Sequence, residues 1–337
     1  MTDLARFSLR SESDLLALVP HTLGFHPVES LVVVAIDARC RPLCGRVDLP
    51  EGLEHLPAVV DQLLVAAVRH QAVDIFVVAY SADEALAEVC ATALVASLAE
   101  EEIRVICGIR ATGDRWYPLA VLCRDPDDAL VAEGQPYDVR THPFTAATVV
   151  EGHVVLGSRQ ELADSLAADH ALVEPVAAAY RALPSLSRRH TRLVREGTWL
   201  RRHVASLAAG RHRHLAEVGS DWSPDTAARV IRDLAHQDLR DLVWCDLSRR
   251  AADAHAEVWR SLLRRSPEER AAPVAAVLAF SAWLAGHGAL AWCAVERARE
   301  VDADNVLAGL VAHALEQAVP PSTWVPFDPR TLRLHAG

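Results

Sequence analysis

Two short segments of the chain each pair a histidine with a proline and surround it with ionisable neighbours. The first, from Pro20 to Ile36 (PHTLGFHPVESLVVVAI), carries His21, His26, Glu29 and Ser30. The second, from Gly134 to His142 (GQPYDVRTH) and followed by Pro143, carries Tyr137, Asp138, Arg140 and His142. Imidazoles titrate near neutral pH, so His21, His26 and His142 are the candidates for proton transfer or metal ligation, provided the two segments meet. Arg140 has the planar fork that grips a carboxylate or phosphate through two bonds. Read together, the eight residues outline a ligand-binding crevice. The simpler reading weighs more: these groups pin two loops to the backbone. His21 and His26 are five positions apart, which is not the one-face helical spacing of zinc ligands, and no metal or other cofactor is expected. Ser30 lies in no G-x-S-x-G elbow and reads as a turn hydroxyl, not a nucleophile.

A second constellation runs from Arg181 to His214. Arginines 181, 188, 189, 192, 195, 201, 202, 211 and 213 stand there against one acid, Glu196. Arg188, Arg189, Arg192, Arg195, Arg201 and Arg202 are the candidates for contact with nucleic acid or an acidic partner. Aromatics are sparse in the segment beyond Trp199, which argues against a nucleic-acid groove. A solvated helix face that pairs with acids such as Glu100-Glu101-Glu102 or Asp127-Asp128 is the plainer alternative. Trp283 and Trp292 form a third candidate, a groove for a partner peptide, although tryptophans at such spacing more often fill a core. Walker A, G-x-G-x-x-G, H-E-x-x-H and paired C-x-x-C motifs are all missing.

The elements that must position these residues alternate in type over the first half. The continuous apolar, β-branched run Leu31–Ile36 reads as a strand buried on both faces. Before it, Ser13 is expected to cap a short helix that ends at Pro20. Leu43–Leu49 pairs back as a hairpin. Leu53–His70 has amphipathic helical spacing, Ile75–Tyr80 is a strand, and Ser81 with Glu84 suggests a capping box for a helix from Asp83 to Leu98. Ile103–Ile109 and Trp116–Cys123 complete the strands. This is an α/β layer architecture with a mixed sheet. After Glu174-Pro175 the pattern is helical throughout, so we expect a mixed α/β domain over 1–174 and an all-α domain over 175–337 with a docked C-terminal tail. Residues Gly286 to Asn305 are similar to the second half of a tetratricopeptide repeat, with Ala291 and Ala298 where two helices would touch. One such unit is a repeat-like hairpin, not a solenoid.

Composition bounds the rest. The chain has 337 residues, enough for two cores, and a formal charge of −11 that disfavours general attraction to DNA or anionic lipid. Every basic residue other than histidine is arginine. The seven cysteines are scattered, and only Cys40 and Cys44 resemble a ligand pair; reduced thiols and a cytoplasmic location are expected. No signal peptide is expected from the first residues, which Asp3, Arg6 and Arg10 interrupt. Ala271–Val295 lacks charge over a length that could cross a bilayer, but Gly286-His287-Gly288 interrupts it, so two helices are expected and no membrane association. Oligomeric state is not readable.

The segments VPHTLGFHPVESLVVVAI, GQPYDVRTHPFTAATVVEG and AFSAWLAGHGALAWCAVERA, the last continuing to PPSTW, together resemble the domain of unknown function 4192 family. The resemblance implies an intracellular actinobacterial protein and no assigned activity. From the residues themselves the expectation is a binding or regulatory protein. Its N-terminal crevice would take a small ligand or peptide, and its helical domain a protein partner. A hydrolase or metal-dependent enzyme built on the histidines is the alternative, and a nucleic-acid-associated protein the second.

Overall fold

The computed structural model describes residues 9–38, 42–123, 129–150, 154–187, 189–211 and 222–332. Cys40, Asp127-Asp128, Arg188, Arg213, His212 and His214 lie outside the described residues. The fold has two units by internal contacts: residues 2–159 with 316–320, and residues 160–315 with 321–337.

The first unit is built on six strands: β1 (Ser30–Asp37), β2 (Pro42–Asp48), β3 (Ala72–Tyr80), β4 (Arg104–Thr112), β5 (Arg115–Pro118) and β6 (Gln135–Pro136). Their spatial order is β2-β1-β3-β4-β5-β6. Among the described strands β3 and β4 are the parallel pair and the other neighbours run antiparallel, so the sheet is mixed. A parallel pair needs a crossover, and the helix α3 (Glu84–Glu100) supplies it.

The reason β1 is apolar without alternation lies in what covers it. Leu31, Val33 and Ala35 face a core shared with α2 (Leu56–Arg69) and α3. Val32 and Val34 face the opposite core, against α1 (Glu12–Leu23). Each full burial of such a side chain is worth roughly 1.5–3 kcal/mol, so the ribbon holds both layers.

Three local expectations are corrected. First, α1 is capped by Ser11, whose hydroxyl accepts from the Asp14 N–H while the Asp14 carboxylate returns a bond to Ser11 N–H. The helix then passes through Pro20 and stops at Gly24, whose N–H bonds the Pro20 carbonyl at 2.8 Å. An interior proline costs a helix about 3 kcal/mol; here the buried row Leu15, Leu16, Leu18 and Val19 just before it, packed in the α1-side core, offsets that cost. Gly24 sits at φ +83, the left-handed stop that a side chain resists. Second, α3 is capped by Asp83, and Ser81 instead accepts from Asp83 N–H. Third, β5 ends at Pro118 and a 3-10 turn over Ala120–Leu122 follows it, because proline leaves no donor for the ladder.

The second unit is helical: α6 (Arg159–Asp164), α7 (His170–Ala182), α8 (His190–Arg211), α9 (Pro224–Leu234), α10 (Gln237–Trp244), α11 (Arg249–Leu263), α12 (Ala271–Ala285), α13 (Gly288–Val301) and α14 (Val306–Glu316). The short α4 (Ala129–Glu133) and α5 (Pro143–Val150) belong to the first unit. α7 begins before the composition shift and runs straight through Pro175. The uncharged run from Ala271 is explained by α12, which is buried on nearly every side within the helical layer. Among the described residues no helix is long and apolar enough to cross a membrane. Gly286, at φ +93, turns α12 into α13, and Ala291 and Ala298 are fully buried in α13. The tail returns along α10: Trp324 Nε1 donates to the Leu247 carbonyl and Phe327 N–H to that of Cys245, both at 2.9 Å. Their rings join Trp244 and Phe280 in one aromatic cluster.

Candidate functional site

The two His-Pro segments address opposite ends of α1. His142 lies against its first turn, where Nε2 is 3.1 Å from Asp14 Oδ1 and Nδ1 is 3.2 Å from Phe144 N–H. A backbone N–H can only donate, so Nδ1 is the acceptor and the proton of the neutral ring sits on Nε2, which donates to Asp14. Burial pushes the Asp14 carboxyl up. The N–H of Arg10, the Ser11 cap and His142 outweigh it, so its pKa falls below the ordinary value. His21 sits in the last turn of α1 and His26 just past Gly24. From Asp14 to His21 the helix rises about 10 Å. Backbone bonds from His26 N–H to the Leu156 carbonyl and from Leu156 N–H to that of Gly24 tie this end to another segment. Burial lowers the His26 pKa and favours a neutral imidazole. Arg140 is spent locally on Asp138, with Nε at 3.1 Å from Oδ1. Tyr137 packs on the α1-side core. Among the described residues, no three histidine, cysteine or acidic side chains are grouped as metal ligands would be.

The richer polar geometry lies along the edge where β3 and β4 end, with β1 beginning and β2 ending beside them. There Ser30 is fully buried; its hydroxyl donates to the Val28 carbonyl at 2.7 Å and accepts from Arg46 Nε at 2.9 Å. Arg46 also bonds Asp48 and lies 5.7 Å over the Phe25 ring. Glu29 adopts φ +42, and its Oε2 accepts from the Ser81 hydroxyl at 2.7 Å. A left-handed glutamate is strained, and three ties hold it: Ser81, the Leu49 N–H on its carbonyl, and the buried Ser30 that follows. On the α3 side Arg110, only 6 % exposed, stacks 4.4 Å over Tyr117 and donates through Nη2 to Glu84 Oε2 at 2.9 Å. Glu84 reaches outward from the first turn of α3.

Sequence reasoning missed Arg46, Ser81, Glu84 and Arg110. The available signal was an arginine between apolar neighbours in each of two strands, Arg46 in β2 and Arg110 in β4, since an arginine buried in a sheet must be paired.

In the helical unit the arginines divide. Arg181 pairs with Glu174 at 3.1 Å and Arg201 with Asp246. Arg189, Arg192, Arg195 and Arg202 stand exposed, and among the described residues their side chains have no acidic partner. Glu196 turns away from them: Arg229 grips both its oxygens at 2.6 and 2.8 Å, and Arg232 adds a bond at 2.5 Å. Arg229 also lies 3.5 Å over Trp199. Next to them Asp233 is fully buried, bonded through Oδ1 to Arg232, with Oδ2 unpartnered. Burial pushes its pKa up to about 7, the Arg232 bond and charge opposing and the Glu196 charge assisting.

A helix-covered mixed sheet followed by a helical array is the class these elements define. A family model described as Domain of unknown function (DUF4192) matches residues 13–322, and the chain belongs to that family. No curated protein and no solved structure matches it.

Proposed function

We propose that this is a non-catalytic binding protein. In this reading the sheet edge around Glu29, Ser81, Glu84 and Arg110 takes a small zwitterionic ligand or a peptide end. The exposed arginine face of α8 meets an acidic protein partner. The observation that carries the first part is Arg110: a buried guanidinium held on Tyr117, spending one N–H on Glu84. Ligands of α/β sheets commonly bind outside the carboxyl ends of strands, and this edge offers Arg110 for a carboxylate beside Glu84 and Glu29 for an ammonium group. The commitments of two of the candidate groups support binding over reaction. The Ser30 proton is given to a backbone carbonyl, and both nitrogens of His142 are engaged.

A thermal-shift panel of amino acids, dipeptides and their N-acetyl or amide derivatives tests this. The reading expects a ligand with both charged ends to raise the Tm of the wild type, with the gain lost in Arg110→Gln. Equal stabilisation by the derivative lacking either charge would remove the zwitterion, and equal stabilisation of the variant would remove the edge.

A further inference from the structure

A cleft in the helical unit makes a second site, separate from the sheet edge. It lies between α8, the α10–α11 connection and α11, with a volume of about 170 Å³. Its apolar walls come from Val204, Ala205, Leu242 and Leu247, and four polar side chains join them: Arg201, Asp246, Ser248 and His255. Ser248, Ala251 and His255 share one face of α11 by their spacing, just as Arg201, Val204 and Ala205 share one face of α8.

Three independent features make this lining unlike an ordinary packing defect. His255 contributes a buried Nδ1 with no hydrogen-bond partner, and such atoms in a native structure call for an explanation. Ser248 occupies the N-cap of α11 in an extended conformation, yet its hydroxyl makes no cap bond. The first turn of α11 holds Arg249 and Arg250 and no acid, although a helix N-terminus favours anions and disfavours cations. Arg201 lines the cleft and spends Nη2 on Asp246. Asp246 lines the cleft too and is about as exposed as Arg201, which it neutralises in part, so an incoming acid group relies on the serine, the helix start and the remaining donors of Arg201.

We propose that this cleft binds a small aliphatic carboxylate, its acid group at Ser248 and Arg201 and its branched body against Val204, Leu242 and Leu247. The size fits: a cavity of about 150 Å³ takes up a molecule as large as benzene, so a body of four or five carbons fills this one. Inorganic anions would lack the body, and a neutral isostere would lack the charge.

The test is calorimetric titration of the full-length chain with 3-methylbutanoate, its isosteric neutral amide, and inorganic phosphate. Saturable binding of the carboxylate is expected, weaker by about tenfold or more for the amide and absent for phosphate. Arg201→Gln should weaken carboxylate binding by about tenfold. Ala205→Leu, at an exposed α8 position, should block the cleft and abolish binding without touching a charge; unchanged thermal unfolding would show that it remains folded. Should Ala205→Leu not fold, Ala251→Leu narrows the cleft from the opposite wall. Equal binding of acid and amide would overturn the proposal, as would no binding of the acid by the wild type. Undiminished binding in a folded, filled variant would overturn it too.

Discussion

Asp14 and His142 meet at 3.1 Å although 128 positions separate them. Asp14 thereby does two jobs: it closes the capping box of α1 and fixes the ring that begins the Pro143 helix. Asp14→Asn keeps the shape and removes the charge. It should lower stability by about 1–2 kcal/mol, read as a lower urea midpoint with an unchanged slope. In a double-mutant cycle with His142→Gln the two changes should cost less together than their sum.

The same carboxyl sets an acid limit. Its folded pKa lies below the ordinary value, so the stability it confers is fully present above about pH 4 and is lost as pH falls through the folded value. Unfolding midpoints between pH 5 and pH 3 should drop more for the wild type than for Asp14→Asn.

Two groups in the helical unit act in opposite directions between about pH 4 and pH 7. Burial lowers His255 to about 4, so the folded chain holds fewer protons there than the unfolded one, and stability falls as pH drops from about 6.5 toward 4. The loss approaches about 3 kcal/mol at its upper limit. Asp233, raised to about 7, holds its proton in the folded chain, so its stabilisation is full below about pH 4 and disappears as pH rises through 7. His255→Gln should flatten the acid side of the stability curve. Asp233→Asn should match the wild type best at about pH 4 and below and exceed it at pH 8.

Gly24 and Gly286 lie at φ +83 and +93, and a methyl group at either would meet nothing within 4 Å. The cost of Gly24→Ala or Gly286→Ala is therefore conformational alone, about 1–2 kcal/mol each. Thermal unfolding of the single variants should give similar losses. A much larger loss at one site would point to a contact absent from this structure.

The arginine face of α8 should be nearly neutral for folding and important for association. Replacing Arg192, Arg195 and Arg202 with glutamine should change stability by no more than about 0.5 kcal/mol per site. An acidic partner should bind the wild type with strong salt dependence, and this variant more slowly. A duplex DNA probe binding equally well would favour nucleic acid on that face.

Much of the scaffold was readable because its causes are local in sequence. The run Leu31–Ile36 announces a strand covered on both faces, and the Gly286 break announces a hairpin rather than a span. The Ser11 cap and the passage of α1 through Pro20 were not readable. The first competes with Ser13 two residues on, and the second depends on burial of the surrounding leucines by a sheet that the helix does not itself encode. The edge cluster was half legible: Glu29 and Ser30 stood out by sequence. Arg46 and Arg110 come from strands that β1 and β3 separate and sit on opposite faces of the sheet, and Ser81 follows the end of β3, so no local pattern links them.

The central claim is that the carboxyl edge of the sheet recognises a ligand and leaves it intact. The most direct measurement is two-dimensional NMR of the labelled full-length chain, titrated with the ligand chosen by thermal shift and followed by mass analysis of that ligand. The account predicts that amide resonances of Glu29, Ser81, Glu84 and Arg110 move first and that the ligand is recovered unchanged. Conversion of the ligand, or shifts confined to the helical unit, would contradict it.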